Sequence, residues 1–284
     1  MSNTINGALI VDTVSAQAQT VLANRLAALS LFSTDFSNDV KKPKDTIQVP
    51  VVSAGSATQT NPTAFNDIGG TTVGKTTVEL NHIYQPFGLE YGDLQNNIRL
   101  ENLTKVNLDA IADAIWEAAT APITTTNFGA ATVTKDDEDV TPTSGDLAKL
   151  WAGVSKAQRK GLVVNAGIYS NLIPTSTLGL ALSQGAYGFE NGVFYASAFP
   201  SQAKLAGFAV SKEAVAVASA QPAMQGFQQN MIASSIIPIG DLGLSVYFNL
   251  WADNVTRSHV ASFELMFGSA KAVTTGTLAS VYNP

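Results

Sequence analysis

Eight consecutive residues, Gly69-Gly70-Thr71-Thr72-Val73-Gly74-Lys75-Thr76, fit the phosphate-loop pattern G-x-x-x-x-G-K-[ST] letter for letter. That chemistry needs a buried strand before the loop and a helix after it, so that backbone N–H groups and the helix N-terminus converge on phosphates. Here a polar Asn/Pro/Thr stretch precedes the glycines, and the alternating Thr77-Val78-Glu79-Leu80 follows them. This context predicts the tip of a β-hairpin. No clean apolar strand ending in a magnesium-binding Asp comes later, because Pro238 is expected to break the nearest one, Ile236-Ile237-Pro238-Ile239-Gly240-Asp241.

The other chemical candidates are few. The chain has no Cys, which excludes a disulfide, a thiolate metal site and a Cys nucleophile. Its two histidines, His82 and His259, lie far apart and outside any metal-ligand spacing, and no G-x-S-x-G elbow is present. His82 is expected to be packed on a strand. The acidic run Asp136-Asp137-Glu138-Asp139 lacks the alternation and glycine of a calcium loop and reads as a solvated turn. Lys41, Lys42 and Lys44 form either an ordinary charged turn or a contact with an acidic neighbour. No catalytic residue, metal or cofactor is expected.

The elements that would carry these residues follow from periodicity. Val14, Ala18, Val21, Leu22, Leu26 and Leu29 form a helical stripe in 8–32. Residues 33–45 read as polar and end in a proline-punctuated turn, and Thr46-Ile47-Gln48-Val49-Pro50-Val51-Val52 reads as a strand that Pro50 confines to an edge. Val73 to Leu89 is a second extended run, so 46–91 forms a protruding hairpin that needs a surface to lie on. A long helix follows, with Asp93 as N-cap and Pro122 as its stop. Leu100, Leu103, Leu108, Ile111 and Ile115 line one side, and Glu101, Lys105, Asp109, Asp113 and Glu117 another. Beyond it, 123–133 is Thr-rich and strand-like, Asp146 to Lys160 is helical, and Leu162-Val163-Val164 is a buried strand. Ala166 to Ile173 reads as a helix, 179–193 as a loop, 205–217 as strand–turn–strand, and 244–273 as mostly β.

Composition narrows the function. In 284 residues there are 16 Lys plus Arg and 22 Asp plus Glu, a net charge of 16 − 22 = −6, which disfavours a coat bound directly along nucleic acid. Charged residues are only 13%, against about 25% in an average soluble domain. Between Glu213 and Asp241 there is no charge, and between Lys160 and Lys204 only Glu190. Long neutral stretches suit surfaces buried against copies of the same chain, where charge is depleted. The N-terminus lacks the basic and apolar regions of a signal peptide, and apolar runs are broken well short of a membrane span, which predicts a soluble cytosolic product.

The order of these elements resembles the major capsid protein of tailed bacteriophages, the Hong Kong ninety-seven phage-type fold. Local cues are Lys42-Pro43-Lys44-Asp45-Thr46-Ile47-Gln48-Val49-Pro50, Phe87-Gly88-Leu89-Glu90-Tyr91-Gly92-Asp93, Gly161-Leu162-Val163-Val164-Asn165-Ala166-Gly167-Ile168-Tyr169 and Leu205-Ala206-Gly207-Phe208-Ala209-Val210-Ser211. The resemblance implies an α+β chain: N-terminal arm 1–45, extended loop 46–91, and spine helix with the start of the peripheral domain 92–143. An axial domain 144–240 and peripheral return strands 241–284 complete it. It implies a coat protein whose pentamers and hexamers close an icosahedral shell around packaged double-stranded DNA, enclosed but not sequence-specifically bound. A portal and a separate scaffolding protein are implied partners, since the chain reaches its arm helix within a few residues of Met1. No membrane is involved, and the site of action is the virion, after assembly in the host cytoplasm.

Suspected subunit contacts are Lys41, Lys42, Lys44, Phe65, Lys75, Arg99, Glu101, Tyr187, Phe189 and Glu190. Some members of the family join a loop Lys to a neighbour's Asn beside a buried Glu. Lys75 sits near the corresponding loop, but no Asn/Glu pair is assignable by motif, and no cross-link is expected; a covalent ladder on a denaturing gel of mature particles would refute this. The alternatives are an encapsulin-like cellular compartment on the same fold, a nucleotide-binding enzyme using 69–76, and a tail or fibre protein.

Overall fold

The computed structural model describes residues 7–53, 72–90, 97–135, 144–155, 160–166, 168–169, 189–196, 199, 204–223, 231–253 and 258–282. It is a mixed α/β fold with few helices and many strands. The first helix, α1 (Gly7–Arg25), buries Ile10, Val14, Ala18 and Leu22 at steps of four, and a 3-10 turn, Ala27–Leu31, continues the stripe with Leu29. The long helix, α2 (Asn97–Thr120), buries Leu100, Leu108, Ile111 and Ile115. Its expected N-cap, Asp93, lies outside the described residues. Arg25 ties the two helices together, with Nη2 2.9 Å from Asp113 and Nε 3.3 Å from Asp109.

Both helices pack on a six-stranded sheet of β1 (Ser33–Lys41), β4 (Asn81–Leu89), β9 (Val215–Pro222), β10 (Met231–Ile239), β11 (Leu244–Asp253) and β12 (Ser258–Lys271). The long β12 pairs with β11 and β4 over its first part and with β9 over 266–271. β1 lies parallel to β9. The sequence reads as polar over 33–45 and does not mark this strand, because Ser-Thr-Asp-Phe-Ser-Asn-Asp carries no apolar alternation. Backbone pairing with β9 and the bond from Ser33 Oγ to the Lys212 carbonyl, 2.7 Å, hold it instead.

A second sheet runs β5-β13-β8-β6-β7, made of β5 (Val133–Thr134), β6 (Gly161–Val164), β7 (Val193–Tyr195), β8 (Leu205–Val210) and β13 (Leu278–Tyr282). Helix α4 (Ser144–Gly153) packs Leu147 and Leu150 onto it. Lys160 closes that helix as a basic C-terminal neighbour should, its Nζ donating to the Trp151 carbonyl at 2.6 Å and lying 3.6 Å from the Trp151 ring centroid. Burial there pushes the ammonium below its usual pKa. The Thr-rich 123–133 is not a strand except at Val133. Thr124 caps a single helical turn, α3 (Thr125–Phe128), by accepting from the Asn127 N–H at 3.2 Å. The boundary expected at 240 falls between β10 and β11, which are neighbours in one sheet. The acidic turn 136–139 and most of 166–188 lie outside the described residues.

The expected hairpin exists as β2 (Thr46–Ser53) and β3 (Thr72–Glu79), paired from Thr46↔Glu79 to Ser53↔Thr72. The extended run 73–89 breaks at Leu80, however, so β3 belongs to the hairpin and β4 to the large sheet. The hairpin's inner residues Val49, Val51, Val78 and Leu80 rest on Ala216, Ala218, Ala220 and Met266. Strand β9 alternates Val and Ala: Val215 and Val217 face the main core, while the small alanines let the hairpin lie close.

At the hairpin's root, Leu80 donates to the Asp45 carbonyl and accepts from the Lys44 N–H, both at 2.8 Å. Lys44 pays for this turn with φ +72, a region that costs a non-glycine residue about 1–2 kcal/mol. Its side chain is exposed, so Lys44→Gly is expected to stabilise the fold by about 0.5–1 kcal/mol net of glycine's own entropy. Chemical denaturation measures this, and a loss of stability would refute the strain.

Candidate functional site

The outward face of the large sheet, opposite α1 and α2, carries a polar hub. The register sets Glu264 of β12 between Tyr84 of β4 and Tyr247 of β11, and Ser262 between Pro86 and Asn249. Glu264 Oε1 accepts from Asn249 Nδ2 at 2.5 Å and from Ser262 Oγ at 2.8 Å, while its Oε2 lies 3.0 Å from His82 Nε2. Asn249 Oδ1 in turn accepts from Ser234 Oγ at 2.8 Å. Burial pushes the Glu264 carboxyl up, but the bonds from His82, Ser262 and Asn249 and the charge of His82 outweigh it and hold it below the usual carboxylate range.

A carboxylate depressed in the folded state contributes fully above the ordinary carboxylate pKa and loses that contribution as pH falls through the folded value. Glu264→Gln is therefore expected to flatten the loss of stability below about pH 4.3. Equal slopes for both chains in acid denaturation would refute it.

The hub borders a cavity of ≈ 470 Å³ walled by Pro43, Tyr84, Pro86, Met231 and Trp251 among others. Both serine hydroxyls donate to other acceptors, so neither is set against a histidine as a nucleophile. His82 is half-exposed and paired with Glu264, not packed as expected. Among the described residues, no three His, Asp or Glu side chains gather to hold a metal, and no helix is long and apolar enough to cross a membrane.

The sequence-selected residues fall on separate elements. Lys41 ends β1 and is half-buried. Lys42 and Lys44 are exposed in the turn at the hairpin root, where the Lys42 N–H donates to Asp45 Oδ2 at 2.8 Å. Lys75 is exposed on β3 opposite Pro50. Lys75 and Thr76 thus stand inside an antiparallel strand with no helix after them, which removes the support a phosphate loop requires. Arg99 and Glu101 are exposed in the first turns of α2, and Glu190 is exposed. Phe189 is buried in the second core. Phe65 and Tyr187 lie outside the described residues. Pro238, expected to break its segment, sits within β10 opposite Ser245; on an edge strand its missing N–H costs no ladder bond.

Sequence reasoning missed the hub because His82 and Glu264 are 182 residues apart and only the β4–β12 register joins them. Asn249 is 1% exposed with both ends of its amide bonded.

No known family model and no curated protein matches the chain. The crystal structure of a virus-like particle from Pyrococcus furiosus matches 95% of this chain and 98% of its own at 10% identity, with a TM-score of 0.53. The chain has the fold of that particle's protein. The resemblance drawn from the order of elements holds at the level of fold. A structure from Mycobacterium phage Bobi (12% identity, 90% of each chain, TM-score 0.49) and the capsid structure of cyanophage P-SCSP1u (10%, 89% and 87%, TM-score 0.48) are also matched.

Proposed function

We propose that this chain is a major capsid protein that assembles into the icosahedral shell around the packaged double-stranded DNA of a tailed phage. The observation that carries the reading is the end-to-end match to a virus-like particle's protein, 95% of one chain against 98% of the other. The elements support it: the hairpin of β2 and β3 lying on β9 and β12, the long helix α2, and an acidic chain that would enclose DNA without gripping it. In this reading 1–45 is the arm, 92–143 the spine helix and start of the peripheral domain, 144–240 the axial domain and 241–284 the peripheral return. Pentamers and hexamers, a separate scaffolding protein and a portal belong to the same reading, as does assembly in the host cytoplasm. The role is structural, not catalytic.

Electron microscopy and light scattering on the purified chain test this. Closed shells or capsomer-sized rings are expected, and nuclease-protected DNA in particles taken from the native source would separate a phage shell from a cargo compartment. A monomer that binds ATP and loses it on Lys75→Ala would overturn the reading.

A further inference from the structure

Strand β10 is the last of the large sheet on its side, and among the described residues no strand pairs with its outer edge. Long edges are normally blunted by lysine, proline or a bulge, because bare N–H and C=O groups recruit other strands. Here Met231–Ile239 contains no charge, and nor does anything between Glu213 and Asp241. The two blunting features that β10 does carry, a register shift between Met231 and Ala233 and Pro238, lie toward its ends and leave 234–237 unprotected.

Between them lies a short, self-complementary stretch. Pro238 is compatible with the strand where its nitrogen faces away from β11. By the two-residue alternation of a strand, Ser234 and Ile236 then turn their N–H and C=O groups to the same free edge. Ile236 is 50% exposed on the outward face, and Ile232 is 36% exposed.

We propose that β10 pairs antiparallel with β10 of a second copy, about a two-fold axis at Ser235. Ser234 of each copy then lies opposite Ile236 of the other, and these two residues exchange four backbone hydrogen bonds across the seam. The exposed isoleucines meet diagonally on one face, and no like charges oppose each other. The inference deepens the shell reading by naming one of its self-contacts.

The chain's lack of cysteine makes the test clean. At the centre of the pairing, Cα atoms would be about 4.5 Å apart, inside the range a disulfide spans. Ser235→Cys in the full chain is expected to form a disulfide dimer under mild oxidation, and the double variant Ser235→Cys/Ile236→Lys at least tenfold less. Val106→Cys, 67% exposed on α2, reports random collision and is expected to stay reduced. Should the lysine variant fail to fold, comparison of Ser235→Cys with Val106→Cys still decides.

If the Ser235→Cys chain forms particles but no disulfide dimer, the pairing is overturned and the shell reading stands. A disulfide dimer of that variant without particles supports the pairing. A monomer with no dimer overturns the pairing, and the shell reading falls with it only where that monomer also binds ATP through Lys75.

Discussion

Replacing Gly268 with alanine is expected to destabilise the fold by about 3 kcal/mol, at the upper end of overpacking costs. A Cβ at this position would lie 2.0 Å from the Glu79 carbonyl oxygen and 3.1 Å from Val78 Cγ1. The first contact is with backbone, which cannot rotate aside. Glu79 ends β3 just before Leu80, where the chain steps from the hairpin down to the large sheet, and Gly268 is where β12 lets it pass. Its neighbours Met266 and Phe267 pair with both β4 and β9, so β12 is pinned from both directions and cannot retreat. The strain must lift the hairpin's root, exposing Val78 and Leu80 and opening the bonds of Leu80 to Lys44 and Asp45. Gly74→Ala is the control, because its added Cβ meets only the Val51 carbonyl at an ordinary 3.7 Å. Urea denaturation of the two variants measures the contrast; equal midpoints would refute the close crossing.

The same crossing shows what could and could not be read in the sequence. Elements whose pattern repeats along the chain were legible. The steps of four in α1 and the charged row of α2 mark one-sided helices, Pro50 marks an edge, and the Val/Ala alternation of 214–217 marks a strand. Elements that exist only through a distant partner were not. Strand β1 has no apolar alternation and is held by β9. The run 73–89 keeps strand character throughout, and only the large sheet decides that it divides at Leu80. Pro238 looks like a breaker until the strand around it is known to lie on an edge. Glu264 carries no local sign of its role, since its donors come from three other positions on three strands. The phosphate-loop lettering is the converse case: a complete local pattern with none of the surrounding structure that gives it chemistry.

The second large effect is expected at Phe32, where Phe32→Ala should cost about 3–5 kcal/mol, the range for deleting a fully buried ring. Phe32 is 0% exposed and stacks on Trp116 of α2 and Phe208 of β8, with ring centroids 6.3 Å apart in both cases. Phe199 closes the group, 6.4 Å from Trp116 and 5.8 Å from Phe208. The four rings join parts that sequence distance keeps apart: the end of the α1 segment, the long helix, and the central strand of the second sheet. Removing the first ring leaves a cavity its neighbours cannot fill without breaking their own stacking, so the two sheets should lose cooperativity as well as stability. A lower denaturant slope alongside the lower midpoint would report that uncoupling. Phe32→Leu, which keeps most of the volume, is expected to cost only about 1 kcal/mol. A loss below that in Phe32→Ala would mean that the cluster fills space without joining the sheets.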